Sequence, residues 1–307
     1  MLETDYDLVI IGAGPAGLTA GIYAARAGIN VLLLEMAAPG GQIIVSDLIE
    51  NYPGFPRGLS GFDLGNKMLK QAENLGVKIE TNQVDSIKSL DNKKIIYLNE
   101  KTITSKTVII ATGASPRKLH IGEEKFIGKG VSFCATCDAP FFKDKTVVAV
   151  GGGDTAVQES IFLTKFARKV YLVHRRDQLR ATKILQERAF KNDKIEFIFD
   201  SLVTGIDGLF NIENIKIKNI KTNKEKNIQA NGCFIWVGIM PNTLFVKDFL
   251  ELDKKGFIIT DKNMKTSVPG VFAAGDVRDT PLRQVSTAIG DGAIATQSAE
   301  HFIMALI

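Results

Sequence analysis

Residues 7–17 read DLVIIGAGPAG, and this stretch decides the fold. The apolar run 7–11 predicts a buried β-strand, and the glycine turn 12–17 follows it directly, ahead of a helical stretch of small residues. The next apolar run, 31–34, ends at Glu35, roughly 20 residues after Gly12, which is the usual offset of a ribose-binding acid. Strand, turn, helix and acid together predict a dinucleotide site. A carboxylate there repels a phosphate and therefore favours FAD or NAD.

The same pattern occurs again at residues 146–156, which read TVVAVGGGDTA. We expect a helix to about residue 166 and a strand over 170–173. The position equivalent to Glu35 is His174, and it is followed by Arg175, Arg176 and Arg180. Guanidinium groups pair well with the 2′-phosphate of NADPH, although a solvated basic strand end would look the same. The second motif therefore predicts NADPH rather than NADH.

Further apolar runs at 95–98, 108–110 and 270–273 predict strands of the first domain. Ligands bind at the carboxyl ends of such strands, so the residues that follow them are expected beside the nucleotide. The prediction is an α/β fold with two Rossmann-like domains, the domain with the second glycine motif being inserted into a discontinuous first domain. The boundaries are 1–115 and 243–307 for the first domain and 116–242 for the inserted one, with prolines 116 and 241 in the linkers.

The bulk composition excludes several classes of protein. The 307 residues are 45% hydrophobic and 23% charged, and the net charge of +4 is spread along the chain, so neither nucleic acid nor a membrane surface is an expected partner. The N-terminus lacks the basic start of a secretory signal, and no apolar run approaches the ~20 residues of a membrane span. We expect a cytoplasmic protein.

Cys134 and Cys137 form a CxxC motif, which predicts a reactive pair in a reducing compartment. A zinc site is the alternative, but the remaining cysteine and the three histidines do not supply a zinc-ligand spacing, so no metal is predicted. Asp138 is a candidate proton donor or acceptor, and the alternative is an ordinary turn aspartate. Cys233 lies in an apolar run and is interpreted as a buried structural cysteine.

Several motifs occur in a fixed order along the chain: GAGPAG (12–17), GGQ (40–42), ENYPG (50–54), ATGA (111–114), CATCD (134–138), GGGDTA (151–156), HRRD (174–177), LRA (179–181), VFAAGD (271–276) and RQV (283–285). With these motifs the sequence resembles bacterial thioredoxin reductases over essentially its whole length. The resemblance implies that FAD occupies the split domain and NADPH the inserted one. It also implies a homodimer whose inserted domain rotates between half-reactions, and thioredoxin or a thioredoxin-like protein as partner.

The resemblance also implies individual roles. Cys137 would be the thiol next to the flavin, Cys134 the thiol that attacks thioredoxin, and Asp138 the acid. The predicted FAD residues are Gly12, Ala13, Gly14, Pro15, Ala16, Gly17, Glu35, Gly41, Gln42, Asn51, Val84, Ala111, Thr112, Gly113, Gly275, Asp276, Arg283, Gln284 and Val285. The predicted NADPH residues are Gly151, Gly152, Gly153, Asp154, Thr155, Ala156, His174, Arg175, Arg176 and Arg180.

One departure concerns the residues after Asp138. Relatives usually have glycine there, whereas this chain has Ala139 and Pro140. A proline disfavours the helical region for the residue before it, so we expect an extended Ala139 and an altered loop.

Three other functions compete with this interpretation. The flavoprotein reductase of a peroxidase system normally carries an added N-terminal thioredoxin-like region, which this sequence does not show. Ferredoxin reductases of the same type lack the CxxC motif. A non-catalytic redox sensor would not need the intact cysteines and arginines.

Overall fold

The computed structural model describes residues 4–46, 49, 51–90 and 92–306. Glu50 of the ENYPG motif lies outside the described residues. The chain divides into two compact units: the first comprises Met1–Ile44, Glu50–Ser115 and Met240–Ile307, and the second comprises Val45–Ile49 and Pro116–Ile239. The second unit is therefore very largely one continuous stretch between two parts of the first.

The strands in chain order are β1 (Tyr6–Ile11), β2 (Val31–Glu35), β3 (Lys78–Thr81), β4 (Val84–Leu90), β5 (Lys93–Leu98), β6 (Thr102–Ile110), β7 (Ala114–Pro116), β8 (Val131–Ser132), β9 (Thr146–Gly151), β10 (Lys169–Val173), β11 (Ile195–Ile198), β12 (Ser201–Asp207), β13 (Asn214–Asn219), β14 (Glu225–Gln229), β15 (Gly232–Trp236), β16 (Ile239–Pro241) and β17 (Val271–Ala273). The α-helices are α1 (Pro15–Arg26), α2 (Gly61–Asn74), α3 (Ala135–Asp138), α4 (Asp154–Leu163), α5 (Lys183–Phe190) and α6 (Val285–Met304). Short 3₁₀ helices occupy Gly41–Val45, Glu123–Phe126, Ala139–Phe142, Leu244–Val246 and Gly275–Val277.

In the described part of the first unit, seven strands form one sheet in the order β3-β2-β1-β6-β5-β4, with β17 paired to β6. The pairs β1–β2, β1–β6, β2–β3 and β6–β17 are parallel. Leu8, Val9 and Ile10 of β1 are fully buried, because a central parallel strand is covered on both faces. The carboxyl ends of β1, β6 and β17 meet at one edge of the sheet.

The second unit, within its described residues, contains a five-stranded parallel sheet in the order β11-β10-β9-β15-β8 and an antiparallel sheet β12-β13-β14. These two units confirm the predicted α/β class. Helix α4 ends at Leu163, so the predicted end near residue 166 was too late. The N–H groups of residues 164–166 bond three residues back instead of four, which closes the helix with a tighter turn.

The two parts of the first unit are joined where the chain leaves it and returns. Asn242 donates its backbone N–H to the Gly113 carbonyl at 3.0 Å, and its side-chain Nδ2 donates to the Thr112 carbonyl at 2.8 Å. These bonds explain why residues 240–242 group with the first unit, whereas the sequence assigned them to the insert. Among the described helices, none is long and apolar enough to cross a membrane.

Candidate active site

The first glycine turn lies between β1 and α1. Gly12 has φ +103°, and a Cβ there would lie 2.5 Å from the Ala111 carbonyl oxygen, so only glycine fits. Helix α1 begins at Pro15 with Gly14 as its N-cap, and no side chain of the described residues caps it. The N–H groups of its first turn are therefore available to an anion, which fits a nucleotide phosphate.

Glu35 lies beside this turn. Its Oε2 accepts a hydrogen bond from the Ala13 N–H at 2.7 Å, and its Oε1 accepts one from the Ala37 N–H at 2.9 Å. Each carboxylate oxygen can accept a second hydrogen bond, so the group remains able to bind ribose hydroxyls.

Asp276 lies in the 3₁₀ helix that follows β17. Burial raises the pKa of its carboxyl to about 6, nearby Arg283 opposes the rise, and Asp291 adds to it. The Arg283 guanidinium stacks over the Phe257 ring at 4.2 Å, and its buried Nε has no hydrogen-bond partner among the described residues. A half-buried acid beside an unsatisfied donor fits a polar cofactor.

The sequence reasoning missed the ion pair behind Asp276. Asp291, on α6, accepts hydrogen bonds from Arg278 Nε at 2.6 Å and Nη2 at 3.0 Å, and from the Gly275 N–H at 3.1 Å. The signal available was an acid between two glycines, Gly290 and Gly292, in the middle of α6.

The other predicted FAD residues belong to the same unit. Asn51 donates through Nδ2 to Gln284 Oε1 at 3.0 Å, and Gln284 is the N-cap of α6. Gly41 approaches Gly14 so closely that a Cβ on it would lie 2.9 Å from the Gly14 Cα. The remainder are Ala16, buried in α1; Gly17, also buried there; Gln42, exposed; Val84, packed on the apolar core; and Val285, the first residue of α6.

The second glycine turn lies between β9 and α4. Gly151 has φ +152°, and a Cβ there would lie 2.5 Å from the Trp236 carbonyl oxygen. Gly153 is the N-cap of α4, again without a capping side chain among the described residues. Asp154 accepts a hydrogen bond from the Thr182 N–H at 2.6 Å, Thr155 is exposed, and Ala156 is buried. The first turn of this helix also fits a phosphate.

Arg175, Arg176 and Arg180 lie exposed on the loop after β10. The Arg180 N–H donates to the Gly152 carbonyl at 2.7 Å, which fastens the basic loop to the glycine turn. Within the described residues no salt bridge engages these guanidinium groups, so they present positive charge to solvent beside the turn.

His174 does not share that exposed surface. Its ring is buried against Gly152, where a Cβ would overlap the imidazole. Burial lowers the pKa of the ring, nearby Arg180 and Arg176 lower it further, and a backbone hydrogen bond with Gly151 acts in the opposite direction. Its buried Nε2 has no hydrogen-bond partner in the described part of the chain. The His174 ring packs beneath the glycine turn, against Gly152.

Cys134 and Cys137 are joined by a disulfide, with their Cα atoms 5.4 Å apart. Cys134 is the N-cap of the one-turn helix α3. Ser132 Oγ accepts a hydrogen bond from the Cys134 N–H at 3.1 Å and donates one to the Cys134 carbonyl at 3.2 Å. Cys134 Sγ lies 3.3 Å from Thr136 Oγ1.

The residues after the pair differ from the expectation. Ala139 is helical, with φ −53° and ψ −38°, so the predicted extended conformation is wrong. The 3₁₀ helix Ala139–Phe142 follows α3, and Pro140 lies in its first turn, where a proline is tolerated because no N–H is needed. Asp138 donates its N–H to the Cys134 carbonyl at 3.2 Å and lines a cavity of about 290 Å³ with Phe142 and Lys145.

Glu159 is a second acid near the disulfide, and the sequence did not point to it. It lies on α4, and its carboxyl faces the backbone N–H groups of Ala135 and Thr136. Burial raises the pKa of this carboxyl, and the two N–H groups partly counteract the rise. An acidic side chain therefore lies behind the cysteine loop.

Cys233 is fully buried, as its apolar neighbours predicted. Burial raises the pKa of its thiol to about 12, and nearby Glu123 contributes. Such a thiol is protonated at neutral pH and is a poor nucleophile. Among the described residues, no three His, Cys, Asp or Glu side chains form a group that could hold a metal ion.

Comparison with known proteins agrees with this geometry. Residues 6–292 match the family described as pyridine nucleotide-disulphide oxidoreductase. A thioredoxin reductase of Peptoclostridium acidaminophilum is 46% identical over 99% of each chain, and one of Listeria innocua is 45% identical over 98% of this chain and 95% of that one. The crystal structure of thioredoxin reductase from Streptococcus pyogenes superposes with a TM-score of 0.89 at 49% identity, covering 98% of both chains.

Proposed function

The chain belongs to the pyridine nucleotide-disulphide oxidoreductase family, among its thioredoxin reductases, and from this premise we propose how its residues divide the reaction. It is an NADPH-dependent flavoprotein oxidoreductase that reduces a thioredoxin disulfide. The observation that carries the assignment of residues is the Cys134–Cys137 disulfide, which lies in the same unit as a glycine turn flanked by exposed arginines.

FAD is assigned to the first unit, which includes residues 240–242. The uncapped start of α1 would bind the pyrophosphate through backbone N–H groups, and Glu35 would accept hydrogen bonds from the ribose. Asp276 would bind the ribityl chain. Asn51, Gln284 and Arg283 would lie near the flavin ring. The Nε of Arg283, which has no hydrogen-bond partner among the described residues, supports this placement.

NADPH is assigned to the second unit, through its stretch Pro116–Ile239. Backbone N–H groups at Gly153 and the first turn of α4 would hold its pyrophosphate. Arg175, Arg176 and Arg180 would pair with the 2′-phosphate, a contact that NADH does not offer. His174 supports the glycine turn from beneath rather than contacting the phosphate.

When bound, FAD supplies the two-electron chemistry that links hydride transfer from NADPH to reduction of the Cys134–Cys137 disulfide. The Cys134 thiolate then attacks one sulfur of the thioredoxin disulfide, and the other thioredoxin sulfur leaves as a thiolate. Cys137 loses its proton and attacks Cys134 Sγ, which re-forms the enzyme disulfide and releases the second thioredoxin thiolate. Asp138, four residues after Cys134 and bonded to its carbonyl, would take up or return the proton.

The partner is thioredoxin or a thioredoxin-like protein, the enzyme works as a homodimer in the cytoplasm, and the inserted domain changes orientation between half-reactions. A cysteine pair that must be reduced repeatedly supports a reducing compartment. The two chain crossings near residues 114–117 and 239–242 supply the hinge.

The test is steady-state oxidation of NADPH by the purified protein with oxidised thioredoxin as acceptor, run beside NADH and beside Cys134→Ser. We expect NADPH-specific turnover that the substitution abolishes, while NADPH still bleaches the flavin of the variant. Bleaching without reduction of thioredoxin by the wild-type enzyme would reject thioredoxin as the acceptor and retain the two nucleotide sites.

A further inference from the structure

We propose that Trp236 and Ser132 are positioning residues that hold the backbone of Cys134 in place after the Cys134–Cys137 disulfide opens. The inference rests on the proposed function, because it concerns the thiol that attacks the partner. It assigns the task to two side chains that are not themselves part of the redox chemistry.

Trp236 is the only tryptophan of the chain and the last residue of β15. Its indole Nε1–H donates to the carbonyl of Phe133, directly before Cys134, at 3.0 Å. The ring stacks on Phe234 with a centroid distance of 5.5 Å, and Trp236 pairs in the sheet with Gly151 of the nucleotide turn. The indole is thus held on one side by the core and bonds to the cysteine loop on the other.

Ser132 holds the next backbone groups along the chain. It ends the short strand β8, which pairs with β15 through Val131 and Ser132. Past Ser132 the strand pairing stops, yet the Phe133 carbonyl and both backbone groups of Cys134 have partners, namely the indole of Trp236 and the Ser132 hydroxyl. The side chains of Trp236 and Ser132 therefore supply the hydrogen bonds to the backbone that strand pairing no longer provides beyond Ser132.

Such a support is needed because the disulfide stops constraining the loop once it is reduced. Helix α3 has four residues, far fewer than a helix requires to persist alone. A thiol that samples many positions reacts more slowly with a disulfide, because it must first be brought into the orientation for attack. With the Phe133 and Cys134 backbone held by Trp236 and Ser132, the Cys134 thiol keeps its position while Cys137 is free to move.

The test compares the holoenzyme with Trp236→Phe, which keeps an aromatic ring and removes the N–H donor, and with Ser132→Ala. Ser201→Ala is the matched control, because Ser201 is also buried in the second unit and its hydroxyl bonds to a backbone carbonyl two residues away, that of Phe199. The reduced enzymes are reoxidised by thioredoxin and, separately, by 5,5′-dithiobis(2-nitrobenzoate), a small disulfide that needs no docking surface.

We expect Trp236→Phe, which loses one hydrogen bond, to slow both reoxidations about 3- to 10-fold, and Ser132→Ala, which loses two, to slow them at least as much. The rate of flavin reduction by NADPH should be unchanged. Ser201→Ala should match the wild type in both. Slowing with thioredoxin alone would make Trp236 a docking contact and overturn the proposal, as would unchanged rates with both acceptors.

Amide hydrogen exchange over residues 131–138 supplies a readout that does not depend on turnover. In the wild type, protection of this segment should survive reduction by dithiothreitol. In the two variants it should fall on reduction, apart from the Cys134 amide, which loses its hydrogen-bond acceptor in Ser132→Ala before reduction as well. Equal loss in wild type and variants would overturn the proposal. If thioredoxin were not a substrate at all, the proposed function would fail, while the exchange data and the small disulfide would still decide this inference.

Discussion

Arg278 and Asp291 form a two-point ion pair, with Nε–Oδ2 and Nη2–Oδ1 distances of 2.6 and 3.0 Å and side chains 15% and 10% exposed. Asp291 also accepts the N–H of Gly275, the residue before Asp276. The pair therefore fixes the loop that carries the proposed ribityl ligand onto helix α6. A bidentate pair that is largely withdrawn from water is strong only while both partners are present.

Asp291→Asn should lower the free energy of unfolding by about 3 kcal/mol, because it leaves the Arg278 charge without its partner. Denaturant unfolding of the flavin-free protein measures this. Asp207→Asn is the control, since its pair with Lys216 is half exposed on both sides and should contribute at most about 0.5 kcal/mol. If both substitutions lowered the free energy of unfolding equally, the buried ion pair would not be more important for stability than the exposed one.

Asp276→Asn should weaken retention of FAD and stabilise the flavin-free protein at neutral pH by about 1–2 kcal/mol. The raised pKa means that the folded protein holds the Asp276 proton more tightly than the unfolded chain. This contribution is complete below about pH 4 and is lost as the pH rises through about 6. The Tm difference between variant and wild type should therefore grow across that range, and a difference independent of pH would refute the assignment.

Arg176→Ala should reduce kcat/KM for NADPH about tenfold and leave kcat/KM for NADH nearly unchanged, because one charge-assisted contact to the 2′-phosphate is lost. Arg175→Ala and Arg180→Ala are expected to act in the same direction. Arg188→Ala, an exposed arginine on α5, serves as the control for the loss of surface charge. A parallel fall with both nucleotides would mean that the arginines do not read the phosphate.

Glu159→Gln should lower the pKa of the Cys134 thiol in the reduced enzyme. The glutamate faces the N–H groups of Ala135 and Thr136, and its charge opposes a thiolate next to them. Glutamine keeps the shape and removes the charge. The rate of alkylation by iodoacetamide at pH 7 should rise a few-fold. An unchanged pH profile of alkylation would show that Glu159 does not influence the thiol.

The sequence predicted the parts of the fold that repeat a local pattern. Both strand–turn–helix units follow from glycine spacing and apolar runs, because the positive φ of Gly12 and of Gly151 imposes a residue type that can be read directly. The CxxC pair was readable for a similar reason, since the spacing itself allows the disulfide.

Residues that act across the fold were not predictable in this way. Trp236 and Phe133 are far apart in sequence and meet only because β8 and β15 are neighbours. The error at Ala139 is instructive: the rule for a residue before proline was applied to a position where a new helical turn begins, and that turn accommodates the proline. His174 lies at the position expected for a phosphate ligand, but a neutral ring is buried there more easily than a charged one, and its arginine neighbours take the exposed surface.

The hydrogen bond between Asn242 and Gly113 means that the chain leaves the first unit and returns to it at adjacent positions. An engineer could excise the chain between these residues and rejoin the ends with a few glycines, without stretching any strand of the seven-stranded sheet. The product would be a compact flavin carrier stripped of its disulfide. Because the two ends lie so close together, a different domain could also be inserted between these residues.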